Sequence, residues 1–438
     1  MKIFNRTSII ILSTIFLISG CSKENVHNQA TTGSVIFIHP DGSGLNMWGA
    51  LRLLQVGPDG MLNWDKMEHM GAYRGHLSNS ANSSSNGGGT VHAYGVKTHY
   101  DAYGNNPEKP FKSLSGTDYS IMTEAKMQGK SIAIINSGHI CEPGTGVYLS
   151  NSINRALEDT IALQIIYSGA DIIFAGGEVM LLPEGEIGFH GEQGIRKDNR
   201  NLLKEAEKLG YKVIFTRAEL LALPSEANKI LGIFSGRDTF NDDDEETLYA
   251  LGVPQYNQSA PTIAEMTAVA LRILKAKKNR DFFIVIEEEG TDNFSNYNNA
   301  SGALEALRRA DEAIGIAMEF IDENPNTLLI TAADSDAGAM QVIGIRDEKK
   351  FNESLSATST NGAPIDGVGG TGTLPFVAKS DRFGNKLRFR IAWATNSDVM
   401  GAILAKTYGL NSELLPNNVD NTDIYRLTYK TLFGVDLK

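Results

Sequence analysis

Three apolar stretches of this chain run directly into carboxylates. Val35-Ile36-Phe37-Ile38-His39-Pro40 leads to Asp41, Phe282 to Ile286 leads to Glu287-Glu288-Glu289-Gly290-Thr291-Asp292, and Thr327 to Ala333 leads to Asp334. One Asp after a strand is an ordinary turn or helix-cap residue. Three such junctions at one edge are different, because gathered carboxylates repel one another unless they are protonated or bind a cation. Oxygen donors suit a hard divalent ion such as Mg²⁺ or Ca²⁺, or Zn²⁺ with oxygen ligands. Asp41, Glu287, Asp292 and Asp334 together therefore predict a metal site.

Residues Ser78 to Thr98, with Ser83-Ser84-Ser85-Asn86-Gly87-Gly88-Gly89 at their centre, form a second unusual stretch. Small residues let a backbone approach a ligand closely, and a serine opening a helix can act as a nucleophile where the helix N-terminus stabilises an anion. By composition alone the stretch reads as a flexible low-complexity loop.

The elements that must position these groups alternate along the chain. Val35 to His39, Ser131 to Asn136, Ala170 to Phe174, Lys212 to Phe215, Phe282 to Ile286 and Thr327 to Thr331 are short and rich in Val, Ile and Phe, which predicts strands. Thr160 to Tyr167, Asn201 to Leu209, Thr262 to Lys275 and Ala300 to Glu323 predict helices between them. This is the pattern of an α/β protein in three layers, a mostly parallel central sheet with helices on both faces. Functional residues then belong just beyond the carboxyl ends of the strands. Segments 104–117, 183–200 and 346–373 read as insertions above that edge. No linker or internal repeat divides residues 34–438, which are expected to form one domain.

From residue 34 to the end, the order of these features resembles the bacterial alkaline phosphatases. The resemblance rests on the strand-Asp at Asp41, the Ser-rich turn followed by Gly95-Val96-Lys97-Thr98, the Glu-x₄-Asp of Glu287 and Asp292, and Ala333-Asp334. Ser168 to Gly177, Ala264-Glu265-Met266-Thr267 and Asn418 to Arg426 extend it. It implies an alkaline phosphatase-like fold and hydrolysis of small phosphate monoesters through a phosphoserine intermediate. Ser85, ten residues before Gly95, falls at the nucleophile's position, with Ser83 and Ser84 as alternatives in register. Asp41 matches a carboxylate shared by two metals, Glu287 a ligand of the magnesium-type site, Asp292 a ligand of the first zinc and Asp334 of the second. Glu142, in Cys141-Glu142-Pro143-Gly144, stands where the family has a ligating threonine, and Arg155 matches the phosphate-clamping arginine, whose planar guanidinium suits bidentate binding.

The family also places histidines four residues after the Asp292 position, directly after the Asp334 position, and before an Asp-Val pair near the C-terminus. This chain has Asn296, Ser335 and Ala394 there, and all eight histidines lie at or before His190. The expected site is thus ligated by oxygen and suited to Mg²⁺ or Ca²⁺ rather than a zinc pair. Asn296 and Ser335 offer oxygens, and Asp336 or Glu288 an extra carboxylate. His92 and His99, flanking the Ser-rich turn, read as structural. Two alternatives to a phosphomonoesterase stay open: a catalytically weak phosphate- or ligand-binding lipoprotein on the same scaffold, and a phosphodiesterase of the superfamily. A sulfatase is disfavoured because Cys141 lacks the Ser and Arg of a Cys-x-Pro-Ser-Arg pattern. The resemblance also implies a homodimer.

Residues 1–20 have the layout of an export signal, with Lys2 and Arg6 before an apolar run from Ile9 to Ile18 that is too short to span a bilayer. Ile18-Ser19-Gly20-Cys21 resembles a bacterial lipobox, which makes Cys21 the lipidated residue, residues 21–33 a polar tether and the cell envelope the location. Lipid on Cys21 leaves Cys141 without a disulfide partner, since the chain has two cysteines. A formal net charge of −12 argues against nucleic acid as a partner.

Overall fold

Apolar, β-branched runs build the middle of the sheet, and polar segments form its margins. The structure, a computed structural model, describes residues 31–105 and 111–438. The export signal, Cys21 and the tether as far as residue 30 lie outside the described residues. Among the described residues, no helix is long and apolar enough to cross a membrane. In chain order the strands are β1 (Ser34–Pro40), β2 (His69–Arg74), β3 (Ser131–His139), β4 (Ile172–Gly176), β5 (Lys212–Ile214), β6 (Ile230–Ile233), β7 (Phe282–Glu288) and β8 (Thr327–Thr331), followed by Leu404–Gly409 and Asn418–Asp420. They form one ten-stranded sheet in the order Asn418–Asp420, β2, Leu404–Gly409, β8, β1, β7, β3, β4, β6, β5. Leu404–Gly409 runs antiparallel to both its neighbours, and the other pairings are parallel.

Successive side chains on a strand point to opposite faces, so each central strand feeds two cores. Ile36 and Ile38 of β1 join Ile284 and Ile286 of β7 in one, beneath the helices Ile263–Ala276 and Ala300–Glu323. Val35 and Phe37 join Phe283 and Val285 in the other, beneath Ile121–Met127, Glu158–Tyr167 and Asn421–Phe433. The longest helix buries Ala303, Leu307, Ala310, Ile314, Ala317 and Ile321 at spacings of three and four, and Asn299 caps it by accepting from the Gly302 amide at 2.7 Å. This is the three-layer α/β architecture read from the sequence.

The six expected strands and four expected helices are present, with ends moved by a few residues. The most consequential move is the growth of β7 to Glu288 and of β3 to His139. Four strands escaped the sequence pattern; the short apolar Ile230–Ile233 is one, and the other three lack an apolar run, among them His69–Arg74 with its exposed Met70. Segment 346–373 is more than an insertion. It supplies Ile365–Gly367 and Gly370–Thr371 to a small antiparallel sheet with Gln341–Gly344, Phe376–Val377 and Arg388–Ala392. The chain then returns at Asp398–Val399, which pairs with Asp336–Ala337 just beyond β8.

Candidate active site

Register and alternation decide which carboxylates meet. In the parallel pairing of β1 with β7, His39 lies opposite Glu287, and in that of β3 with β7, Asn136 does too. Glu287 therefore shares the face of Val285, while Glu288 points the other way, where it accepts a hydrogen bond from Ser137 Oγ at 2.6 Å. Glu288 does not join the site, because a one-residue step along a strand reverses the face. Asp41, fully buried just past β1, accepts from the Gly42 amide at 2.8 Å. His39 Nε2 lies 3.2 Å from Asp41 Oδ1 and 3.9 Å from Glu287 Oε1, while its Nδ1 is 2.7 Å from the Ala332 carbonyl. The Asn136 amide donates to Glu287 Oε2.

A second group adjoins this one. Asp292 sits in the first turn of the helix Gly290–Asn296, and the Asn296 amide donates to Asp292 Oδ2 at 2.9 Å and to Asp398 Oδ1 at 3.2 Å. Glu289 closes with Asp41 and Asp292 into a set whose ligand atoms lie within 4.8 Å of one another. Asp334, buried beyond β8, lies close enough to Asp41 to feel its charge. Ser335 is also buried, and its Oγ has no partner among the described residues. Asp336 fills a slot between Gly44 and Gly401, where an added Cβ would fall 2.1 Å and 1.8 Å from its oxygens, and it stays outside the cluster.

The Ser-rich stretch is ordered, contrary to its composition. Ser84 is the N-cap of the helix Ser85–Tyr94, accepting from the Gly87 amide at 3.1 Å and donating to the Tyr100 carbonyl. That leaves Ser85, the first helical residue, to turn its hydroxyl to Asp41. Ser83 Oγ faces the Ser84 carbonyl at 3.4 Å. The glycines make the close approach possible. A Cβ on Gly88 would fall 2.5 Å from both Asp334 and Ser83 Oγ, so any larger residue would push the helix away from the carboxylates.

Glu142 and Arg155 lie at the side of this cluster. Glu142 is buried and has both oxygens engaged, one 2.6 Å from His139 Nε2 and the other accepting from Arg155 at 3.1 Å. With Asp238 nearby it groups with His139 rather than with His39 and Asp41. Arg155 is about half exposed, at 48%, and its charge reaches Glu289 and Asp292. His92 packs edge-on against His39 with ring centroids 5.7 Å apart and lies 2.7 Å from the Tyr73 hydroxyl. Its burial, chiefly, holds it well below the usual histidine pKa, as a neutral core residue.

The electrostatics of the cluster are those of a cation site. Asp41 Oδ2, Glu287 Oε1, Glu289 Oε2, Asp292 Oδ1, Asn296 Oδ1, both Asp334 oxygens and Ser335 Oγ are buried without hydrogen-bond partners among the described residues. Each unmade bond of this kind costs about 1–3 kcal/mol, a concentration that packing does not require and that divalent cations would relieve. Burial, then the Asp41 charge, pushes Asp334 well above the usual carboxylate range. Asp292 rises likewise through burial and Asp398. Burial carries Glu287 up to about 8 although His39 opposes the shift. Burial disfavours the His39 imidazolium, yet Asp41 and Glu287 outweigh it and raise the ring to about 9. Asp41 stays low because the charge of His39, 3.2 Å away, outweighs the effect of its burial.

The site contains three residues beyond those expected from sequence. Glu289 lies in the acidic run after β7, and Asp398 belongs to the Asp-Val pair after Ala394, so both carried a signal. His39 read only as a strand residue, and its face became visible through the β1–β7 register.

A mostly parallel α/β sheet thus brings buried carboxylates beside the serine that opens a helix. Residues 33–365 match the family model described as alkaline phosphatase. The membrane-bound alkaline phosphatase of Bombyx mori is 25% identical over 416 residues, covering 84% of this chain and 72% of the relative. Alkaline phosphatase 4 of Bacillus subtilis is 28% identical over 276 residues, covering 62% and 53%. Among solved structures, the alkaline phosphatase of the Antarctic bacterium TAB5 superimposes with a TM-score of 0.69 at 19% identity, covering 92% of this chain and 98% of that one. A mutant of the TAB5 enzyme with magnesium bound has a TM-score of 0.69 at 20% identity, covering 92% and 99%. The chain belongs to the alkaline phosphatase family, whose members use divalent metals.

Proposed function

We propose that this protein is a divalent-cation-dependent phosphomonoesterase that acts through a phosphoserine on Ser85. The observation that carries this reading is the Ser85 hydroxyl, which opens a helix and faces Asp41 amid buried oxygens that lack partners. Asp41, Glu287, Asp292, Asn296, Asp334 and Ser335 would hold the cations, with Glu142 alongside. When bound, such ions supply Lewis acidity that favours the ionised serine and neutralises charge on the leaving oxygen.

The chain's own groups account for the remaining steps. Ser85 Oγ forms a bond to phosphorus as the ester oxygen departs, and the N-terminus of its helix favours the anion held there. The Arg155 guanidinium, placed at the side of the cluster, pairs with non-bridging oxygens. Water then attacks phosphorus, the bond to Ser85 Oγ breaks, and inorganic phosphate leaves. The test is hydrolysis of p-nitrophenyl phosphate by chelator-treated protein after separate addition of Mg²⁺, Ca²⁺, Mn²⁺ and Zn²⁺. Turnover restored by a cation is expected. A folded protein inactive with every cation would favour the ligand-binding or diesterase alternatives.

The N-terminal sequence supports export and lipid anchoring through Cys21, with the catalytic domain outside the cytoplasm. Cys21→Ser is expected to move the protein from the membrane to the soluble fraction, and unchanged membrane retention would refute the anchor.

A further inference from the structure

The carboxylate cluster contains one nitrogen whose placement is unexplained by packing. His39 is 1% exposed, its ring held between Phe37 and His92. The Ala332 carbonyl, 2.7 Å from Nδ1, can only accept, so Nδ1 keeps its hydrogen, and a cation that displaces the ring's other proton would meet the Nε2 lone pair facing Asp41 and Glu287. Among the described residues, Nε2 and Glu287 Oε1 have no hydrogen-bond partner, and neither does Asp41 Oδ2. Three potential ligand atoms thus converge in a buried pocket, within 4.8 Å of one another.

The surroundings match those of a histidine ligand. An Nδ1–H donated to a backbone carbonyl is the usual device that orients a metal-bound imidazole and leaves Nε2 free. Asn136 holds Glu287 through Oε2, which turns Oε1 inward. Bonds of about 2.1 Å to one ion place neighbouring ligand atoms roughly 3.0–3.4 Å apart, and the observed nitrogen–oxygen separations of 3.2 and 3.9 Å need only a small closure.

We propose that His39 is a nitrogen ligand, binding a divalent cation together with Asp41 and Glu287. This rests on the reading that the cluster binds cations, and it changes which ones. A site with an imidazole favours Co²⁺ or Zn²⁺ over Mg²⁺ or Ca²⁺, with Mn²⁺ able to occupy it as a spectroscopic probe, so this face of the cluster is not the all-oxygen site that the missing C-terminal histidines suggest.

The test is pulsed electron paramagnetic resonance of Mn²⁺ added to the chelator-treated full chain. Nitrogen coupling from a bound imidazole is expected in the wild type and in His139→Gln, and is expected to vanish in His39→Gln. Mn²⁺ affinity is expected to fall at least tenfold in His39→Gln, while Ca²⁺ affinity changes less. Bound Mn²⁺ without nitrogen coupling in the wild type would overturn the ligand assignment and leave the cation-dependent phosphatase standing. Coupling that persists in His39→Gln, or is lost in His139→Gln, would overturn it too. Absence of Mn²⁺ binding altogether would overturn the ligand assignment, leaving the phosphatase reading to the hydrolysis assay with the other cations. If His39→Gln fails to fold, the wild type and His139→Gln alone still decide between these outcomes.

Discussion

At the scale of single residues, the site is a set of buried charges whose value depends on a cation. Asp334 has two oxygens without partners and a pKa pushed up by burial and by Asp41. Asp334→Asn should therefore stabilise the chelator-treated protein at neutral pH, by about 1 kcal/mol or more since it removes the cost of holding a buried carboxyl protonated beside Asp41, while weakening cation binding. Thermal melts with and without cation check this, and a destabilised cation-free variant would contradict it. Ser85→Ala should lower kcat by about 10³-fold or more and leave cation affinity unchanged. Retained turnover would move the nucleophile to Ser83, since Ser84 Oγ is already engaged as a cap. The clustered carboxylates Asp41, Glu287, Asp292 and Asp334 were legible as residues because each follows an apolar run. His39 was not, because its own run conceals it.

At the scale of elements, the helix Ser85–Tyr94 stands closest to the carboxylates through glycines that helix propensity disfavours. Alanine at position 88 would gain about 1 kcal/mol of propensity, but a Cβ 2.5 Å from Asp334 imposes an overpacking cost of about 1–3 kcal/mol. The clash wins, so Gly88→Ala should destabilise the protein and reduce turnover, to be measured by denaturant unfolding and p-nitrophenyl phosphate hydrolysis. An equally stable, fully active variant would show that the helix is less tightly seated. Composition alone suggested a flexible loop here, because Ser and Gly are common in loops. What it could not reveal was the N-cap of Ser84 and the packing that demands small residues. The strands His69–Arg74 and Leu404–Gly409 were likewise hidden, since edge and antiparallel strands do not carry the continuous apolar runs of a buried parallel strand.

At the scale of the whole molecule, the clustered titrations set the pH response. Glu287 rises from its ordinary 4.5 to about 8 and His39 from 6.5 to about 9. Folded protein thus holds protons that the unfolded chain releases. The stability associated with Glu287 is complete below about pH 4.5 and is lost as pH rises through 8; that of His39 is complete below 6.5 and is lost through 9. The chelator-treated protein should therefore melt at progressively lower temperature from pH 5 to pH 9. Bound cations, which displace those protons, should flatten the dependence. Melts across that range test the sign, and rising stability toward pH 9 without cation would refute it. The sequence by itself determined the three-layer architecture, the parallel core and the edge at which the carboxylates collect, because strand alternation and apolar runs are local properties. Only the tertiary structure decided that Glu287 and not Glu288 enters the site, that Asp398 returns to Asn296, and that His39 faces Asp41. Those outcomes depend on register between strands distant in sequence, and a shift of one residue reverses the face on which every side chain lies.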